Sequence, residues 1–93
     1  MYDRFHVEGT VLDENGHLLA GAKVAVSGAS QPALQTKTYS TGDARGYYNL
    51  GNLVANGKPY MLTVYDKDGN ALYALQQDAP MAATELTIDF GSK

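Results

Sequence analysis

Short runs in which apolar and polar positions alternate succeed one another along this chain, separated by clusters of Gly, Asn, Asp and Pro. They recur about every 8–12 residues, the rhythm of an all-β domain. The first run, Arg4 to Leu12, puts Phe5, Val7 and Val11 on one face and His6, Glu8, Thr10 and Leu12 on the other, as a strand of period two requires. The second, Ala22 to Ser27, turns Ala22, Val24 and Val26 inward and Lys23, Ala25 and Ser27 outward. Gln35 to Ser40 is polar and contains Thr, which predicts an edge strand. Gly46 to Leu50, Pro59 to Tyr65, Ala71 to Gln76 and Glu85 to Phe90 complete seven predicted strands. Tyr60, Leu62 and Val64 face inward on the fifth, and Leu86, Ile88 and Phe90 on the seventh. No window sustains the 3.6-residue apolar period of a helix. The expected fold is an all-β, seven-stranded antiparallel Greek-key β-sandwich. Its expected core is Val11, Val24, Val26, Tyr48, Leu50, Leu62, Val64, Leu86 and Ile88.

The turns carry their own chemistry. Asp13-Glu14-Asn15-Gly16, Asp43-Ala44-Arg45-Gly46 and Asp66-Lys67-Asp68-Gly69-Asn70 each begin with an Asp that can accept from backbone two residues on, and each holds a Gly suited to positive φ. Alternating apolar residues on both sides make the last two hairpins. Gly28 to Leu34, with Pro32, and Asp78 to Ala83, with Pro80, read as connections in which no ladder hydrogen bond is needed.

Ninety-three residues make a single domain, 1–93. A chain of this size buries only about two-thirds of its unfolded surface, so its core has little reserve. It has no Cys, hence no disulfide and no thiolate metal site, which fits either redox compartment. Two histidines, His6 and His17, fall on separate elements and predict no metal site and no cofactor. Seven Lys and Arg are scattered against ten Asp and Glu, so nothing marks a nucleic-acid surface. No apolar run is long enough to cross a bilayer, and Met1-Tyr2-Asp3-Arg4-Phe5 lacks the layout of a signal peptide. A start almost directly on a strand is expected of a domain cut from a longer chain.

The stretch from Gly9 to Val24, with Val11-Leu12-Asp13-Glu14-Asn15-Gly16 and Leu19-Ala20-Gly21-Ala22, resembles the opening of carboxypeptidase regulatory-like domains. A threonine strand, Asp43 to Gly46, Tyr48, Leu50, Leu53, Gly57 and Tyr60 continue the likeness to about Val64. The resemblance implies a transthyretin-like (Ig-like, prealbumin-type) sandwich. It says little about function, since one fold hosts many.

Related sandwiches with chemistry differ from this chain at the residues that matter. Transthyretin-like hydrolases of 5-hydroxyisourate carry a histidine before the first-strand Val-Leu-Asp and a C-terminal Tyr-Arg-Gly-Ser. Here Thr10 stands before Val11, and the end reads Asp89-Phe90-Gly91-Ser92-Lys93. Collagen-adhesin-type sandwiches join a first-strand Lys to a last-strand Asn or Asp beside a buried Glu. Glu8 and Val64 occupy the Lys and Glu places, leaving Asp89 alone, and Lys23 lies on another strand. Asp66 to Asn70 offers oxygens at alternate positions, but its glycine is fourth and Gln77 stands twelfth, unlike a helix–loop–helix calcium loop. Neither histidine is positioned as a base by a neighbouring Ser and Asp. The chain is expected not to be an enzyme.

Tyrosine is the one surplus: seven, with no Trp. Tyr48 and Tyr60 fit the core. Tyr65 and Tyr73, with Met61 and Leu75, fall on outward parities of two strands flanking Asp66–Asn70, predicting one aromatic and apolar face. The expected function is a non-catalytic spacer or docking module of a larger protein placed outside the cell, at its surface or in the periplasm. Its expected partners are neighbouring domains or another protein. Binding of a protein or carbohydrate through the Met61–Tyr65–Tyr73–Leu75 face is the alternative.

Overall fold

A computed structural model describes residues 3–28, 30–40 and 45–91. Among the described residues seven strands follow in order: β1 (Arg4–Thr10), β2 (Lys23–Ser27), β3 (Leu34–Lys37), β4 (Tyr47–Val54), β5 (Pro59–Tyr65), β6 (Ala71–Asp78) and β7 (Glu85–Thr87). They form a three-stranded sheet, β4-β1-β7, facing a four-stranded sheet, β3-β2-β5-β6. The expected β-sandwich is therefore present, with the polar third strand at an edge. One pairing departs from the antiparallel expectation: β1 and β7 run parallel, His6 beside Glu85 and Glu8 beside Thr87. Asp43 and Ala44 of the Asp43–Gly46 turn lie outside the described residues, and the expected hairpin there is not formed, because β3 and β4 on either side of it belong to different sheets.

Alternation explains the core. Phe5, Val7 and Val11 from the first sheet meet Val24, Val26, Tyr60, Leu62 and Val64 from the second, all buried. Tyr48, Leu50, Ile88 and Phe90 complete the interior, while Leu86, expected at the centre, is only partly buried on the short edge strand β7. Phe5 meets Tyr60 edge to face, with ring centroids 5.8 Å apart.

Two bulges change which side chains face inward. In β4, Phe5 pairs with Leu53 but Val7 with Leu50, so β4 carries one extra residue. Asn52 absorbs it with φ 68°, a left-handed conformation that Asn tolerates better than most residues. Leu50 and Leu53, three apart, can then both be buried, and β4 runs on to Val54 instead of ending at Leu50.

The second bulge overturns the expected tyrosine face. Tyr65 pairs with Ala71, and Val64 pairs with Tyr73, so Leu72 is the extra residue. Without it, Tyr73 would lie opposite Thr63 and Leu75 opposite Met61, all outward. With it, Tyr73 lies opposite Val64 and Leu75 opposite Leu62, both inward. A one-residue slip moves a strand's whole side-chain set to the other face, and here the inward set fills the end of the core.

Candidate functional site

The four residues expected to share a face are divided between the two sides of the sheet. Met61 and Tyr65 point outward, and Tyr65 has the Lys23 ammonium 4.8 Å from its ring centroid, which occupies that ring face. Tyr73 turns inward: its ring centroid is 5.9 Å from that of Phe90, and its hydroxyl donates to the Leu12 carbonyl. Leu75 packs against the core. Of the outward pair, Met61 lies beside a shallow depression of about 280 Å³ lined by Ser27, Gly28, Pro59 and Gln76.

At one end of the sandwich, the Asp13 and Asp66 turns prove to be the same structure built twice. The Asp13 amide donates to the His17 carbonyl at 2.8 Å, and the Asp66 amide to the Asn70 carbonyl at 2.9 Å. Each aspartate Oδ1 accepts two backbone N–H groups at 2.9 Å, from Asn15 and His17 or from Asp68 and Asn70. Gly16 and Gly69 close the loops at φ 81° and 88°, where a Cβ would be strained. The backbone N–H of His17 foremost holds Asp13 below its ordinary pKa, and that of Asn70 does the same for Asp66. The turns flank a groove of about 510 Å³ that Leu19, Arg45 and Lys67 also line. One oxygen of each carboxylate is thus engaged by the chain's own backbone, and Asp66 Oδ2 also accepts from the Asn70 side-chain amide at 3.3 Å.

The seam between β1 and β7 carries more. Ile88 N–H donates to the Glu8 carbonyl at 2.8 Å, Phe90 N–H to Thr10 at 2.9 Å, and Leu12 N–H back to Phe90 at 2.9 Å. The ladder thus continues beyond β7 itself, with a further bridge from Val11 to Phe90. Asp89 Oδ1 accepts from the Thr10 amide at 2.8 Å and its hydroxyl at 3.2 Å. Buried Tyr48 donates to the Ile88 carbonyl at 2.6 Å; burial raises its phenol pKa, so it stays a donor. The strands meet closely at Gly9, where a Cβ would run into the Ile88 carbonyl.

On the outer face of that seam stand His6, Glu8, Glu85 and Tyr47. His6 Nε2 is 3.2 Å from Glu8 Oε1 and 3.6 Å from Glu85 Oε2. Tyr47 donates its hydroxyl to the other Glu8 oxygen at 2.6 Å. Glu8 lies below the usual carboxylate range because of hydrogen bonds from Glu85 first, then Tyr47 and His6. The same contact with Glu8 pushes Glu85 up, and Glu8 also raises Tyr47. The outward parity of His6 and Glu8 was readable from alternation. Their meeting with Glu85 was not, since a parallel pairing of first and last strands leaves no local signature.

Thr10 and Asp89, compared above with hydrolase and isopeptide positions, bond to each other within this seam. No curated protein sequence matches the chain. The sequence matches the carboxypeptidase regulatory-like domain family over residues 6–90. A match of that extent, on a two-sheet sandwich with the expected turns, identifies the chain as a carboxypeptidase regulatory-like domain, a member of a family of non-catalytic modules.

Proposed function

We propose that this domain is a non-catalytic, in-line spacer of a larger exported or cell-surface protein, able to carry load between its neighbours or dock onto one of them. The observation that supports this is the parallel pairing of β1 with β7. Because the first and last strands point the same way, the chain comes in beside Arg4 and leaves beside Phe90, which bridges Val11. Those positions are separated along β1 by seven residue steps, about 23 Å at 3.3 Å each. A domain of 40 × 25 × 22 Å threaded in this way sets its neighbours on opposite sides.

The same geometry governs resistance to force. Tension between the ends slides β1 against β7, loading the rungs at Glu8, Thr10 and Leu12 together. Antiparallel strands joined by a turn are instead peeled one rung at a time. Tyr48 and Asp89 add side-chain bonds to the shear-loaded pair. Small-angle scattering tests the spacer arrangement, with the domain placed between two folded partners. Partners held apart along the domain's long axis support it; partners lying side by side at one end overturn it.

A second reading is docking of a protein partner or a carbohydrate on the outer face of the four-stranded sheet. Its support is Met61, exposed beside a depression, and it no longer includes Tyr73 and Leu75. Titration with neighbouring domains or oligosaccharides, read by Met61 methyl and Tyr65 ring resonances, tests it. Shifts confined to those residues support docking; unchanged resonances leave the spacer role alone.

A further inference from the structure

We propose that His6, Glu8 and Glu85 form a binding site for a divalent transition-metal ion of the zinc class, which fastens the last strand to the first. The ligand set is one imidazole nitrogen and two carboxylate oxygens, all within 4.8 Å of one another. Zinc bonds such atoms at about 2.0–2.2 Å in a tetrahedron, which separates neighbouring ligands by about 3.3 Å. The distances from His6 Nε2, 3.2 Å to Glu8 and 3.6 Å to Glu85, fall on either side of that edge length. Two of the three edges are thus near that length already, and the third is no longer than 4.8 Å.

The scaffold fixes this arrangement from both sides. His6 and Glu8 are alternate residues on one face of β1, and the parallel register sets Glu85 directly beside His6. Tyr47 holds Glu8 Oε2 from the neighbouring strand β4, leaving Oε1 toward His6. A bond to a ligand's second oxygen orients that ligand and is commonly worth about 10–100-fold in metal affinity. An imidazole in the set favours zinc, cobalt or nickel over calcium and magnesium, which prefer oxygen alone. His6 and Glu85 are partly exposed, with side chains 36 % and 61 % accessible, so a fourth position is open to water. The ion would bridge residues far apart in sequence, at the end of β1 opposite the Thr10–Asp89 bond. This inference rests on the cluster and not on the spacer reading.

Untagged, metal-free protein titrated with Zn²⁺ by calorimetry, and with Co²⁺ by visible absorption, tests the site. One equivalent of Zn²⁺ is expected to bind, and Co²⁺ to develop the visible bands of a tetrahedral complex with a nitrogen ligand. Binding should fall at least about tenfold in His6→Ala and in Glu85→Gln, and about tenfold in Tyr47→Phe. It should persist in His17→Ala, which removes the other imidazole. Glu85→Gln changes an exposed residue of the edge strand β7, outside the core, and decides the matter should His6→Ala disturb folding. The absence of saturable binding, or binding that survives Glu85→Gln, or binding lost with His17, overturns the proposal. Mechanical and scattering measurements made in chelator keep the spacer reading separate.

Discussion

The two sheets are assembled in opposite ways. The four-stranded sheet contains two sequence-adjacent pairs, β2 with β3 and β5 with β6, and the second is closed by the five-residue Asp66 turn. The three-stranded sheet has no sequence-adjacent pair: β1 joins β4 and then β7, bringing together residues 79 apart, such as Thr10 and Asp89. The first sheet is written largely in local turn chemistry. The second exists only once the chain has closed, and closing long loops costs entropy before any contact repays it. The candidate chemistry of the molecule, the His6–Glu8–Glu85 cluster and the β1–β7 seam, lies in the three-stranded sheet.

The largest expected effect tests whether the two sheets share one core. Leu62, buried in β5, contacts that common interior, so Leu62→Ala should cost about 2–5 kcal/mol of global stability. Chemical denaturation should show both sheets unfolding together; loss confined to one sheet would separate them. Gly9→Ala probes the seam. Its Cβ would meet backbone, the Ile88 carbonyl, which cannot rotate away. Overpacking of this kind costs about 1–3 kcal/mol. Hydrogen exchange should rise first at the Ile88 and Phe90 amides, whereas the β2–β5 ladder keeps its protection.

Next in size is Tyr73→Phe, which deletes only the hydroxyl that donates to Leu12. A loss of about 0.5–1.5 kcal/mol is expected, with Phe90 packing retained. A change near zero would mean that the inward turn of Tyr73 depends on its ring alone.

Legibility in the sequence follows the same division. Strand alternation and Asp–Gly turns were enough to place β2 and β5 and to assign Val24, Val26, Leu62 and Val64 to the core. The bulge at Leu72 was not readable. Counting parity straight through Asp66–Asn70 turned Tyr73 and Leu75 outward, because a bulge has no residue signature when the extra residue is an ordinary Leu. The Asn52 bulge left a weak trace, in that Leu50 and Leu53 both match apolar positions though three apart. Glu85 beside His6 was invisible, since no short-range pattern encodes which distant strand lies alongside.

Two smaller effects concern charge. Asp13 and Asp66 are both held below the ordinary carboxylate range by backbone N–H groups. A group whose folded pKa is depressed stabilises the fold above its unfolded value and loses that contribution as pH falls through the folded one. Melting temperature should therefore drop as pH falls below about 4, the unfolded Asp value. Asp13→Asn together with Asp66→Asn should flatten that decline. Glu85 behaves oppositely: its folded pKa is raised by contact with Glu8, so its contribution fades as pH rises through that value. In chelator at neutral pH, Glu85→Gln should slightly raise the melting temperature by removing one of two adjoining carboxylates. A fall would mean that the contact of Glu85 with His6 outweighs the repulsion between the two carboxylates.

Single-molecule pulling in two directions bears most directly on the claim that the β1–β7 seam carries load. The chain has no Cys, so handles can be attached at chosen positions. Pulling from Asp3 and the C-terminal end loads the parallel seam in shear, whereas pulling from Asp3 and Ala55 peels β1 from β4, Arg4 being paired with Val54. Unfolding through the ends is predicted to be one cooperative event at a force well above that of the peeling direction, and Gly9→Ala should narrow the gap. Equal forces in the two directions, or β7 detaching first at low force, would contradict the account.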